Sequence, residues 1–316
     1  MTQEPPAILM MGPTASGKSA LALEISDRFG CEIVSVDSGQ VYRDMDIGTA
    51  KPDKATRDRI PHHVLDVINP DESYSAGRFR DDALTAMREI SERGRIPLLC
   101  GGTMLYFRAI TEGLNELPEA DPAIRMVIDT MAEEQGWAAL HRQLARIDPE
   151  TAGRLDPADA QRIQRALEVY YLTNRPMSEL LKKPRYVYFP YRKVPIVLMP
   201  VDRDVLHQRI AARFEDMLEL GLIGELKRLR DTYGLEPTMP SMRCVGYRQT
   251  WDYLEGRTSL AGLREQAIAA TRQLARRQLT WLRALPSSHV QFDAFAGDLL
   301  TQVLVYLDLE CPLAES

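Results

Sequence analysis

The sequence predicts an α/β fold: a parallel sheet that carries a phosphate loop and is covered by helices, interrupted by an inserted all-helical subdomain. Three observations predict it. Four short apolar runs, "AILMMG", "CEIVSVDS", "RIPLLCGGT" and "KVPIVLMPVD", alternate with stretches of helical period, as strands and crossover helices do in a parallel sheet. The first run leads into "GPTASGKS", Gly12 to Ser19, which has the spacing G-x-x-x-x-G-K-[ST] of a phosphate-binding loop. From about Pro122 to Leu181 only helical periods occur.

Taken in order, the first strand ends at the glycine loop, and "SALALEISDRFG" follows as a helix that Gly30 stops. The second strand, "CEIVSVDS", ends in Asp37. "SAGRFRDDALTAMREISERG" is the next helix, and "RIPLLCGGT" the third strand. After "LPEADP" the pattern changes to three helical periods, "AIRMVIDTMAEEQ", "WAALHRQLARI" and "DAQRIQRALEVYYL", punctuated by Asp-Pro pairs. Strand character returns at "KVPIVLMPVD", so the helical block reads as an insertion rather than a tail. The remaining helices are "DRDVLHQRIAARFEDMLEL", "IGELKRLRDTYG" and the long "SLAGLREQAIAATRQLARRQLTWLRAL". This gives a first part of the core at 1–118, a helical insertion at 119–190 and a return to the core at 191–316. Open parallel sheets bind ligands at the carboxyl ends of their strands, here Gly12, Asp37 and Gly101.

At 316 residues, 45% hydrophobic and 27% charged, the chain can bury a substantial core. The cysteines, Cys31, Cys100, Cys244 and Cys311, lie far apart without a C-x-x-C pair, which argues against a zinc site or a disulfide framework and suits a reducing cytoplasm. No targeting segment and no membrane span are expected. The net charge of −6 argues against wholesale nucleic-acid binding, yet the segment from Ser241 to Arg283 holds eight arginines, no lysine and three acids.

The loop carries the first chemistry. Its backbone N–H groups and the following helix end suit an anion, Lys18 adds a positive charge, and the Ser19 hydroxyl suits Mg²⁺. A strand-end acid after the third strand and a water-orienting group, both usual in nucleotide hydrolases, are not found. Asp37 is either a turn residue, a magnesium partner or a general base, and the polar "DSGQVYRDMDIGTAKP" around it suits a substrate loop. Arg209 and Arg213 share a helix face, either as a phosphate clamp or as a solvated pair. In "QRIQRALEVYYL", Ile163, Leu167 and Tyr170 form the apolar stripe, leaving Gln161, Arg162 and Arg165 for another surface. In the last long helix Arg272, Arg276 and Arg283 share a face, with Leu260, Leu263, Ala267, Leu274 and Leu285 on the buried side.

Seven stretches in order, "GPTASGKS", "SVDSGQVYRDMDIGTAKP", "PHHVLD", "YSAGRFR", "PLLCGGTMLYFRAI", "RCVGYRQ" and "TRQLARRQLTWLR", together resemble the tRNA dimethylallyltransferase family. The resemblance implies transfer of a dimethylallyl group from dimethylallyl diphosphate to N6 of the adenosine 3′-adjacent to the anticodon, giving N6-isopentenyladenosine and diphosphate. It implies donor-diphosphate binding by Gly12, Pro13, Thr14, Ala15, Ser16, Gly17, Lys18 and Ser19, with Mg²⁺ at Ser19. It implies catalytic roles for Asp37 as general base near N6, for Arg213 on the departing diphosphate, and for Thr14. Contacts to the tRNA anticodon stem-loop would come from Asp37, Ser38, Gly39 and Gln40, from Thr103 and Arg125, and from Gln161, Arg162, Ile163, Gln164 and Arg165. Further contacts would come from Met242, Arg243, Cys244, Val245, Gly246 and Tyr247, and from the long basic helix around Ala275 to Leu282, with Arg272 and Arg276. A cytoplasmic monomer is expected. A small-molecule kinase and a nucleotide-switched RNA-binding protein are the competing classes, separated by whether ATP is turned over and whether a modified nucleoside is made.

Overall fold

The computed structural model describes residues 4–182, 188–286 and 288–311. Six strands form one sheet: β1 (Pro6–Met11), β2 (Cys31–Val36), β3 (His62–His63), β4 (Ile96–Gly101), β5 (Arg192–Met199) and β6 (Val290–Asp293). Their order is β3-β2-β4-β1-β5-β6, and every pairing is parallel. β1 sits inside the sheet, with Ile8 opposite Leu98 on one side and Val194 on the other.

The central strands are continuous apolar runs because both of their faces are covered. Ile8 and Met10 pack with Leu21, Ile25 and Phe29 of α1 (Lys18–Phe29) and with Val303 and Leu307 of α14 (Leu299–Glu310). Leu9 and Met11 pack on the opposite face with Phe79 and Met87 of α3 (Ala76–Glu92), Leu206, Ile210 and Phe214 of α10 (Arg203–Glu219), and Leu263 and Leu279 of α13 (Leu260–Arg283). Burying one such side chain contributes about 1.5–3 kcal/mol, so the alternation along β1 fixes both layers at once. Two edge elements carry no sequence signal of this kind. β3 is a His-His pair, and β6 leaves Val290 and Gln291 exposed at the sheet margin.

The chain divides into two compact units, Met1–Thr111 with Phe189–Ser316, and Glu112–Tyr188. The second unit is helical throughout its described residues: α5 (Pro122–Gln135), α6 (Trp137–Ile147), α7 (Pro149–Ala152), α8 (Ala160–Thr173) and α9 (Met177–Leu181). Two of the Asp-Pro pairs, Asp121-Pro122 and Asp148-Pro149, are helix starts, whereas Asp156-Pro157 lies in the turn before α8, which Asp159 caps. Asp121 accepts from Ala123 N–H and Ile124 N–H, and Asp148 from the Thr151 N–H, the Thr151 hydroxyl and Ser178 N–H. Ile128, Leu140, Leu144, Ile163 and Leu167 form its core.

The buried stripe of α13 differs from the expected one. Leu263, Ala267, Ala275, Leu279 and Leu282 are inside, whereas Leu260 is exposed in the first turn and Leu274 is half-buried. Steps of four from Leu263 and Ala267 lead to Ala275 and Leu279, so small alanines hold positions on the stripe that the leucine pattern does not mark. Tyr170 of α8 is likewise only half-buried. Among the described residues no helix is long and apolar enough to cross a membrane.

Candidate active site

β1 ends at Met11, and the chain must then turn sharply into α1. Gly12 keeps this turn tight, since an added Cβ would lie 3.0 Å from Ser16 Oγ and 3.1 Å from the Leu198 carbonyl oxygen, and those neighbours would have to give way. Ala15 and Gly17 take the left-handed conformation, at φ 63° and 91°. The N-terminus of α1 has no side-chain cap, which leaves its first N–H groups for an anion. Lys18 curls back into the loop, donating to the Pro13 carbonyl at 2.6 Å and to Ser16 Oγ at 3.4 Å.

Two distant helices grip this loop. From α10, Arg213 Nη1 reaches Thr14 Oγ1 at 3.3 Å, and Arg209 Nε donates to the Ala15 carbonyl at 3.0 Å while its guanidinium lies over the Phe295 ring, 5.3 Å from its centroid. From α13, Gln278 bonds both Thr14 N–H and the Gly102 carbonyl. Both arginines therefore bond the loop, Arg209 from an exposed position and Arg213 from a half-buried one.

Beside the loop, the ends of β2 and β4 meet. A Cβ at Gly101 would fall 2.0 Å from the Val36 carbonyl oxygen, so only glycine permits this approach. Thr103 N–H donates to Val36 O at 3.1 Å, and Thr103 Oγ1 accepts from Ser38 N–H at 3.0 Å. Asp37 Oδ1 accepts from Gly39 N–H at 2.8 Å, and among the described residues no hydrogen bond reaches Oδ2. Asp37 is thus held in a turn through one oxygen only. The loop beyond it is braced from within. Gln40 accepts from Ser35 Oγ and donates to the carbonyls of Thr49 and Ala50. The buried Glu225 carboxylate accepts from the N–H groups of Asp46, Ile47 and Gly48 and from the Tyr247 hydroxyl.

The electrostatics favour an anion. Burial lowers Lys18 from its ordinary 10.5 to about 8, with Cys100 and Asp37 opposing and Arg213 assisting. Burial also lowers Arg213, and Asp37 opposes that shift. Burial pushes the Cys100 thiol up to about 11 and the Cys244 thiol, also next to Asp37, up to about 12, so both are neutral near pH 7. Two desolvated cations thus face a single carboxylate, and a bound anion would restore their balance.

The other anticipated residues fall into two groups. Gln161, Arg162, Arg243, Arg272 and Arg276 are exposed, and Gln161 and Arg162 line a shallow hollow with Asp159 and Arg165. Ile163, Met242 and Tyr247 are fully buried, so their side chains pack the interior and are not available to a tRNA. Arg125 and Arg165 both donate to Glu168, a fully buried carboxylate; burial alone would raise it, and the two arginines outweigh that and lower it. Gln164 bonds Asp129, and Cys244 lies against Gly39. Glu225 escapes sequence reasoning because it acts on a loop far away in the chain, with no local motif to mark it; Gln278 lies within "TRQLARRQLTWLR", but nothing local shows that it reaches Thr14 and Gly102.

A magnesium ion fits the residues present. The Ser19 hydroxyl is exposed in the first turn of α1, and Asp37 offers a carboxylate at the end of β2, which β4 separates from β1. Among the described residues no group of three or more His, Cys, Asp or Glu gathers, and Mg²⁺ bound with a substrate's phosphates needs only one or two protein oxygens.

Comparison with known proteins bears on the whole chain. The IPP transferase family model matches residues 40–285, and the isopentenyl transferase model matches residues 6–63. A tRNA dimethylallyltransferase from Nitrosomonas eutropha is 57% identical over 306 residues, covering 97% of this chain and 96% of that protein. One from Dechloromonas aromatica is 58% identical over 278 residues, 88% of each chain. The crystal structure of the tRNA isopentenylpyrophosphate transferase from Bacillus halodurans matches with a TM-score of 0.68 at 35% identity, covering 96% of this chain and 97% of that one. A eukaryotic dimethylallyltransferase captured acting on tRNA matches with a TM-score of 0.78 at 27% identity, covering 99% of this chain and 81% of that one.

Proposed function

The chain belongs to the IPP transferase family of tRNA dimethylallyltransferases, and from that membership we propose how its residues carry out the reaction. A dimethylallyl group passes from dimethylallyl diphosphate to N6 of the adenosine 3′-adjacent to the anticodon in tRNA, leaving N6-isopentenyladenosine and diphosphate. The observation that carries the assignment of the donor site is the pair of desolvated cations, Lys18 and Arg213, at an uncapped helix end. These charges sit where negative charge grows as the allylic carbon–oxygen bond breaks and its electrons pass to the diphosphate. The Thr14 hydroxyl, which accepts from Arg213, would stand beside the same anion. A bound Mg²⁺, held by the Ser19 hydroxyl and the donor's own phosphate oxygens, would add further charge neutralisation.

The acceptor is a poor nucleophile, because the lone pair of an exocyclic adenine amine is delocalised into the ring. Asp37 addresses this with its second carboxylate oxygen, which takes the N6 proton as the nitrogen–carbon bond forms. The adenosine must leave its stack to reach a site at the strand ends, a modest cost in a single-stranded loop. The tRNA backbone lies along the exposed arginines of α13, with Ser38, Gly39, Gln40, Thr103 and Arg243 near the acceptor base. Arg162 and Gln161 of the insertion supply further contacts. The enzyme works as a monomer in the cytoplasm, a reducing compartment that suits its free cysteines.

Incubation with dimethylallyl diphosphate, Mg²⁺ and unmodified tRNA, followed by mass analysis of the nucleosides, tests this reading. It predicts N6-isopentenyladenosine in the wild type and almost none in Lys18→Ala; turnover of ATP without a modified nucleoside would instead indicate a kinase.

A further inference from the structure

Helix α13 points Arg272 and Arg276 outward, and one residue of the same helix turns the other way. Gln278 Oε1 accepts from Thr14 N–H at 2.8 Å, and its Nε2 donates to the Gly102 carbonyl at 2.9 Å. A carboxamide has one accepting and one donating end, and with an N–H on one side and a carbonyl on the other only this orientation satisfies both. The partners are 264 and 176 residues away in sequence, so one side chain ties together two strand-end loops that are remote along the chain. Gly102 admits it: an added Cβ would sit 2.3 Å from Gln278 Nε2. Thr14 is also the residue whose hydroxyl meets Arg213.

We propose that Gln278 is a positioning residue for prenyl transfer, clamping the donor loop to the end of β4 and so fixing Thr14 against the donor diphosphate. The proposal rests on the reading of Gly12 to Ser19 as the donor site. With its N–H already occupied by Gln278, the Thr14 backbone is not a phosphate ligand, and the loop's anion contacts come from the N–H groups closer to α1. Gln278 itself touches no substrate, and its effect reaches the reaction through the order of the loop.

Gln278→Met keeps length and helix propensity within a 24-residue helix while removing both hydrogen bonds. Steady-state kinetics, tRNA binding and melting curves are to be measured for the wild type, Gln278→Met, Gly102→Ala and the double variant, with Lys18→Ala alongside. The loss of two hydrogen bonds should raise the KM for dimethylallyl diphosphate about tenfold, with tRNA affinity and melting temperature close to wild type. Gly102→Ala, which displaces the amide, should reproduce most of that rise, and the double variant should be little worse than either single one. An unchanged donor KM in Gln278→Met, a loss of tRNA affinity in its place, or defects that simply add in the double variant overturns the proposal. Lys18→Ala separates the two ways of failing. Undiminished donor affinity there removes the donor-site reading and this proposal together, whereas lost donor affinity beside a normal Gln278→Met removes the positioning role alone.

Discussion

Asp37 uses one carboxylate oxygen to hold its own turn, through Gly39 N–H, and the other, which accepts no hydrogen bond among the described residues, is the oxygen proposed to take the N6 proton. Asp37→Asn preserves the oxygen that makes the turn and removes most of the basicity, so it separates chemistry from local structure. Single-turnover prenyl transfer should fall about 10²–10⁴-fold, with tRNA affinity and melting temperature nearly unchanged. Restoration of the rate by excess Mg²⁺ would make Asp37 a metal ligand, and a lower melting temperature with normal turnover would make it a turn residue. Lys18 makes a second prediction. Its value of about 8 in the free protein lies below the ordinary 10.5, so between those values the unfolded chain binds more protons and this group's contribution to stability rises with pH. A bound diphosphate raises Lys18 again, so binding takes up a proton above about pH 8. Titration calorimetry of the wild type in buffers of different ionisation enthalpy should show Lys18's share of that uptake growing as the pH rises from about 7 to about 9; an uptake that does not grow over this range would contradict the assignment.

At the level of helices and strands, α13 is divided lengthwise: Leu263, Ala267, Ala275, Leu279 and Leu282 pack inward, and Arg272 and Arg276 face solvent. Replacing both arginines with Ala should weaken tRNA binding and reduce the salt slope by roughly 1 for each phosphate that no longer meets an arginine. Wild-type affinity and slope would mean that the arginines are only solvated. The same elements show what can be read in advance. β1, β2, β4 and β5 are legible because burial on both faces makes each a continuous apolar run. β3 and β6 are not, because a two-residue pair and a half-exposed margin carry no such run. Within α8 the spacing already puts Ile163 on the apolar stripe, and the structure buries it, although the family span includes it among tRNA contacts.

Across the whole molecule, the site is legible where its chemistry is local. The loop spacing and the acid closing β2 are short-range signals, and the parallel sheet brings both to the same edge. The braces are hidden, since Gln278 reaches Thr14 across 264 residues and Glu225 reaches Ile47 across 178. Met242 and Tyr247 show the converse, because a motif span does not distinguish side chains that point inward. Every role assigned to Lys18, Arg213 and Thr14 depends on this fold holding a prenyl diphosphate in a loop whose spacing is shared with nucleotide-binding proteins. The decisive experiment is titration calorimetry of the wild type with dimethylallyl diphosphate and, separately, with ATP in the presence of Mg²⁺. Tight binding of the prenyl diphosphate, abolished in Lys18→Ala, is expected beside weak binding of ATP without hydrolysis; tight ATP binding with hydrolysis and no heat from the prenyl diphosphate would refute the donor-site assignment.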